Sequence, residues 1–365
     1  KRIIVMAWGL HKSLIVKKSV ENNVTSLIPT TYLQNHKNTT LVLDNESASE
    51  LTRFKTPWLV STCEWIDSMK RRAIVWLCET TGKSILKLTD EDYNKNGLSD
   101  LLALEGSSYD LNINMFNHFQ NTVTGWPGGK PGADDSTRPE RKSPNSKRVI
   151  IFSPHPDDDV VSMGGTFDRL VSQGHKVHIA YQVKGNIAVS DHDALKFIEV
   201  SKDMFKNDSK VLVSELIKEL KNNKPDKIDS QAVRDLKGFI RKREAIAATR
   251  YFGIPDSNTH FMNLPFYNTG RIKKNPPTKK DVLITASLIK KIKPHQIFAA
   301  GDLEDPHGTH KVCLDVILDA LDILKGEKFI KDCWLWLYRG AWLDWDVHDI
   351  DMAVPMSPAQ VLRKR

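Results

Sequence analysis

The segment His155-Pro156-Asp157-Asp158-Asp159 places one imidazole and three carboxylates directly after an apolar run, Val149-Ile150-Ile151-Phe152. That run reads as a buried strand, and a core has no use for four ionisable groups at its end. A metal site does. Far downstream, Asp305-Pro306-His307-Gly308-Thr309-His310 offers two more imidazoles. Zinc takes imidazole nitrogen and carboxylate oxygen, and a catalytic site uses about three protein ligands and keeps a further position for water. His155 and Asp158 stand three residues apart in a loop stiffened by Pro156, so both can reach one ion. Asp157 is then turned away from the ion and can face water. His307 and His310 share one face at the expected start of a helix. Only one of them need touch the metal, and the other would face the substrate. Another divalent ion in place of zinc remains open.

Each motif has a plainer role when taken alone. An H-P-D-D can be the capped start of a helix, with Asp accepting amide hydrogen bonds. An H-x-x-H can be ordinary helix surface. The joint occurrence, each after a strand of one domain, favours a site. Asp159 stays open between orienting a ligand and serving as an acid at a helix N-terminus.

The elements that must position these groups alternate. Strands are predicted over 148–152, 176–181, 259–262, 296–300 and 334–338, with helices over 164–173 and 307–324 and charged helical sequence over 194–252. Strands separated by helices imply an α/β fold, a mostly parallel sheet with helices on both faces. Ligands in such sheets sit beyond the carboxyl ends of the strands, where both histidine segments fall. Upstream, residues 3–7 and 40–44 read as strands, and 10–21, 46–54 and 63–79 as helices. The Gly- and Pro-rich stretch 121–146 reads as a linker with little to bury.

The 365 residues suffice for two or three domains. No apolar run approaches the ~18 residues of a membrane span. Cys63, Cys78, Cys313 and Cys333 form no C-x-x-C pair, which argues against a disulfide framework or thiolate zinc site and fits a reducing, cytoplasmic compartment. The net charge of +8 lies largely in segments such as 221–227 that read as solvated helix ends. They lack interleaved aromatics and no nucleic-acid motif is visible, so nucleic acid is not an expected partner, and the lack of a long apolar run leaves no membrane expected either.

Pro154 to Asp159 and His307 to His310 resemble the zinc-dependent N-deacetylases of the PIG-L/LmbE family, whose signature is (A/P)-H-P-D-D-(D/E) after a strand and a later H-x-x-H. The resemblance covers 147–365 and implies a Rossmann-like sheet. It also implies His155, Asp158 and His310 as Zn2+ ligands, Asp157 as general base, and His307 as oxyanion stabiliser and proton donor. The family's Arg-x-x-Glu motif points to Arg241 as substrate-binding, with Arg243 competing, ahead of Phe252-Gly253. The charged insertion at 203–235 departs from compact members.

A second resemblance covers residues 1–60. Met6-Ala7-Trp8-Gly9-Leu10-His11-Lys12, Ile28-Pro29, Tyr32 to His36 and Glu50 to Arg53 look like the last part of glucosamine-6-phosphate deaminases, a truncated α/β sugar-phosphate isomerase-like segment. It implies Lys12 as a phosphate-gripping residue, and a strand, Gly turn and helix start make a physically sound anion site. That family's acid–base residues lie upstream, so the chain reads as part of a longer bacterial fusion protein. Residues 61–120 form a helical connector. The fusion implies amino-sugar metabolism: zinc-dependent hydrolysis of an N-acetylglucosamine-type substrate, and homo-oligomers through the parent's deaminase-like domain. The alternatives are deaminase as the parent's main activity and a metal-binding module without turnover.

Overall fold

The computed structural model describes residues 1–142, 144–204, 210–223, 228–271 and 273–364. Residues 224–227 of the expected solvated helix end, and 205–209 and 224–227 of the charged insertion, lie outside the described residues. The chain divides into two compact units, residues 1–123 with 346–351 and residues 124–345 with 352–365.

In the first unit, β1 (Ile3–Ala7) pairs in parallel with β2 (Thr39–Leu43), Val5 opposite Leu41. Between β1 and helix α1 (Ser13–Glu21) lies a 3-10 turn, Leu10–Lys12. The helix expected from residue 10 therefore starts three residues late. Lys12 N–H closes on the Gly9 carbonyl at 3.0 Å, and Gly9 N–H is bound by the Asp44 carboxylate at 3.0 and 3.2 Å. The helix expected over 46–54 is two short ones, Asn45–Ala48 and Thr52–Lys55. Glu21 explains the restart, because its carboxylate takes both the amide (2.7 Å) and the hydroxyl (2.8 Å) of Thr52. Helices α2 (Asp67–Thr81) and α3 (Ser108–Thr122) close a core that includes Ile74, Leu77, Tyr93, Leu101 and Leu111. The buried Tyr93 hydroxyl donates to Asn112 at 2.7 Å, so its polar end is satisfied.

The second unit is built on five parallel strands in the order β5-β4-β3-β6-β7: β3 (Arg148–Ser153), β4 (Lys176–Tyr181), β5 (Thr259–Phe261), β6 (Gln296–Ala300) and β7 (Trp334–Tyr338). The expected mostly parallel, Rossmann-like α/β sheet is present. The two-residue period of β3 divides it between two cores. Ile150 and Phe152 face a cluster with residues of α6 (Lys279–Ile292) and α7 (Thr309–Leu324). Val149 and Ile151 face Phe167 and Leu170 of α4 (Asp158–Ser172), Ala245 of α5 (Gln231–Tyr251) and Phe252 just beyond it. Helix α6 has no counterpart among the expected elements, although Thr278 and Asp281 form the capping box that announces it.

The strand order reverses between β3 and β6. Chain leaving β3 crosses to one side of the sheet, and chain leaving β6 to the other. A crevice opens at such a switch point, beyond the carboxyl ends of both strands.

The stretch 125–129 is not loose. Pro127, Gly128 and Gly129 are buried, and the Pro127 carbonyl accepts from the Gln296 side chain at 3.0 Å. Gly128 allows this, since a Cβ there would fall 2.1 Å from His175 Nε2. The expectation that little is buried there fails because glycines permit backbone to lie flat on an imidazole. Among the described residues, no helix is long and apolar enough to cross a membrane.

Candidate metal centre and its cavity

β3 ends at Ser153, and the chain turns through His155 and Pro156 into α4. Asp157 is the N-cap of α4 with φ 153°, one of three non-glycine residues at positive φ among the described residues. Such a backbone typically costs about 1–3 kcal/mol, and such strain clusters at functional sites. Asp158 is the first residue of the helix, which therefore starts six residues before the one expected from Gly164.

From the other side of the switch point, β6 leads to Asp302 and Asp305, then to α7. This helix starts at Thr309, with Gly308 as N-cap. His307 therefore precedes the helix, and the shared helical face expected of His307 and His310 does not exist. His310 lies in the first turn and is 2% exposed.

His155, Asp158 and His310 converge, with one ligand atom of each within 4.8 Å of the others. Asp158 Oδ2 stands 3.3 Å from His155 Nδ1 and 3.2 Å from His310 Nε2. Tetrahedral ligands at roughly 2.0–2.1 Å from zinc stand about 3.3 Å apart, so the donors fit such an ion. The tautomer of His310 fits as well. Its Nδ1 lies 2.9 Å from the Asp302 carbonyl, which can only accept, so Nδ1 carries a proton and Nε2, which faces Asp158, is the nitrogen a metal would take. Asp305 holds the helix start, accepting from the amides of Thr309 (2.8 Å) and His310 (3.0 Å). Asp302 Oδ2 accepts three amides, from Ala341, Trp342 and Leu343 at 2.5–3.2 Å, and so pins a cavity wall.

The protonation pattern follows from this packing. Burial alone would raise Asp158, but hydrogen bonds from His155 and His310 outweigh it and hold its carboxyl well below the usual range. Burial would lower His310, and Asp158 overrides it, so the net shift is upward. A metal would compete with that proton, and its binding releases it. Burial pushes Asp159 up to about 6. Asp159 does not touch the histidines. It meets Tyr181 OH at 2.9 Å and Ser153 Oγ at 3.2 Å, and Ser153 Oγ in turn donates to the His155 carbonyl at 2.6 Å. It holds the loop rather than a ligand side chain, from the first turn of the helix.

Asp157 faces the cavity and is bound by Arg241 Nη2 at 2.7 Å. The same guanidinium bonds the Pro156 carbonyl and reaches Glu244 at 2.9 Å. Burial first, then the Asp158 charge, raises Asp157, and Arg241 opposes both. Half of the side chain, 51%, stays open to solvent, which damps each effect. Arg243 is exposed and takes no part in the cavity wall, so of the two competing arginines the structure brings Arg241 there.

The cavity measures about 350 Å³. His155, Asp157, Asp158, Arg241, His307 and His310 all line it. Tyr267, Lys274 and Trp342 line it too and were not expected. Tyr267 and Lys274 come from loop sequence between β5 and α6 that carries no motif. Asp302 had a legible signal, an acid two residues beyond a strand end. Lys12 is in the first unit, exposed on the 3-10 turn, and makes no ion pair among the described residues.

Residues 150–321 match the PIG-L family, GlcNAc-PI de-N-acetylase, and form a PIG-L domain. The chain is 52% identical over 374 residues to a Bacteroides thetaiotaomicron protein named as glucosamine-6-phosphate deaminase-like. That likeness takes in 100% of this chain and 56% of the relative, so the chain spans little more than half the relative's length. A glucosamine-6-phosphate deaminase of Streptococcus suis is 45% identical over 51 residues, 14% of this chain and 22% of the enzyme. Among solved structures, N,N'-diacetylchitobiose deacetylase from Pyrococcus horikoshii is similar at 15% identity and a TM-score of 0.37, over 60% of this chain and 69% of that one.

Proposed function

We propose, from the PIG-L domain that residues 150–321 form, that the second unit hydrolyses the N-acetyl group of an N-acetylglucosamine-type amino sugar. A divalent ion, zinc by preference, would be held by His155, Asp158 and His310 and would supply the activated water. The observation that carries this reading is the His155–Asp158–His310 group in the cavity wall, with Asp157 beside it.

A divalent ion held by these three side chains would polarise an amide carbonyl and acidify a water. Asp157, in the cavity wall beside these ligands, would serve as general base toward an attacking water. Its raised proton affinity suits the task, and Arg241 fixes its carboxylate. His307 faces the developing oxyanion and passes a proton to the leaving amine. Acetate and a free amino sugar result. Arg241 also offers a guanidinium edge to the substrate, and the flat faces of Tyr267 and Trp342 suit a pyranose.

The test is metal content of the purified chain, followed by acetate release from N-acetylglucosamine with and without a 6-phosphate. About one zinc per chain with acetate release supports the reading. Bound metal with no acetate from either sugar would move the function to a binding module.

A second activity belongs to a longer parent. The 51-residue likeness to sugar-phosphate deaminases favours glucosamine 6-phosphate deamination there, with Lys12 on the phosphate and oligomers through that domain. Ammonia release by the whole parent measures it. The four cysteines are unpaired, in keeping with a reducing, cytoplasmic setting.

A further inference from the structure

We infer that Lys274 reads an anion in this cavity, so that the preferred amino sugar carries a phosphate or a carboxylate on the part of the ring remote from its N-acetyl group. The inference rests on the deacetylase reading for the words "amino sugar"; the anion subsite itself does not.

Lys274 follows the 3-10 turn Pro265–Tyr267 and precedes α6. It lines the cavity and is half-buried. Its ammonium stands 3.9 Å from the centroid of the Tyr267 ring and donates one hydrogen bond, to the Arg271 carbonyl at 2.6 Å. An ammonium has three donors. Among the described residues no carboxylate pairs with it. The other cation of the cavity differs: Arg241 is held by Asp157 and Glu244, so its charge is already answered. Burial pushes Lys274 down to about 8, the mark of a cation held away from water without a counter-ion. Such a group gains a partner when an anion enters.

Position gives the inference its chemistry. The Tyr267 ring that carries the ammonium also packs edge-on to His155, centroids 6.1 Å apart at 69°. One aromatic ring therefore separates the ammonium from a candidate metal ligand. The two spacings together bound a span of the order of one hexose with a substituent on its far carbon. An N-acetyl group beside Asp157 and His155 would leave that substituent facing Lys274. Lysine serves phosphate and carboxylate as a point charge rather than a fork, so the fit does not depend on a planar partner.

The test uses sugars that lack an amide and so are never turned over: glucose, glucose 6-phosphate and glucuronate. Their binding is titrated calorimetrically at pH 7 to the native chain, Lys274→Met and Lys274→Gln, with metal content confirming an intact centre. The expected result is glucose 6-phosphate or glucuronate binding at least about tenfold tighter than glucose to the native chain. The tighter of the two names the anion, and the preference vanishes in both variants. Equal binding of all three sugars to the native chain, or a preference that survives in both variants, would overturn the inference. Acetate release is scored separately. If no N-acetyl sugar is cleaved while the Lys274-dependent preference persists, the deacetylase reading falls and the anion subsite stands.

Discussion

Each unit contains a parallel strand that runs through a short turn bearing ionisable side chains into a helix. In the first unit β1 leads through Gly9, His11 and Lys12 into α1, and in the second β3 leads through His155, Asp157 and Asp158 into α4. The outcomes differ. Among the described residues β1 pairs only with β2, and the acid at the end of β2, Asp44, is consumed by local bonds to the amides of Gly9 and Ser47. Lys12 is left in solvent, where its charge is screened. β3 is flanked on both sides, and β6 delivers Asp302, Asp305 and His310 to the same edge. There the Asp302 carbonyl holds a proton on His310 Nδ1, burial shifts proton affinities, and three donors stand at metal-ligand spacing. A turn supplies reactive groups, and a second turn on the neighbouring strand makes them a centre.

The largest effect that could break this contrast is loss of the ion. Asp158→Asn or His310→Ala should reduce bound metal from about one ion per chain to none, measured by elemental analysis. Metal retained in His310→Ala would shift the ligand to His307. Next is Asp157→Asn, which should keep the metal and reduce acetate release by about 10²–10⁴-fold, the range of a general base. Metal lost on that change would make Asp157 a ligand.

Gly128→Val asks whether 125–129 belongs to the second unit's fold. A side chain there must displace the His175 ring, so a destabilisation of about 2 kcal/mol is expected in thermal unfolding. A silent substitution would return the segment to a loose linker. The pH dependence is smaller. Burial holds His175, His178 and His295, all in the second unit, down at about 4. Between the ordinary value of roughly 6.5 and that value, the unfolded chain takes up protons that the folded chain does not. Stability should therefore fall as the pH drops through this window, read as a lower Tm at pH 5 than at pH 7. Asp159, pushed up to about 6, and His310, shifted upward, oppose the three rings in this window, so replacing the rings by Gln should weaken the pH dependence of Tm, and no change on that replacement would contradict their burial. Least of all, Lys12→Ala should leave metal content, acetate release and stability unchanged to within about 0.5 kcal/mol. A loss of acetate release would show that the first unit serves the centre.

Much of the sheet was legible because its strands are short apolar runs between polar breaks. Residues 176–181, 296–300 and 334–338 were bounded to the residue. Helix starts were read less well. The start of α4 lies inside the H-P-D-D motif itself, where acids that read as a loop are helical residues. The start of α7 falls after Gly308, whose φ of 65° ends the turn that holds His307. Both shifts move side chains relative to the candidate metal centre. Tyr267 and Lys274 were missed because loop residues carry no period, and their place in the cavity depends on where α6 anchors the loop.

The sequence by itself determined which residue types were available and that two groups of them follow buried strands. Strand periodicity and motif spacing are local properties, and they are written along the chain. Only the tertiary structure decided that β3 and β6 are neighbours, that His307 lies outside the helix that carries His310, and that a lysine with no paired carboxylate among the described residues shares the cavity. Those are consequences of strand order and of desolvation, and both depend on segments that packing brings together from more than a hundred residues apart.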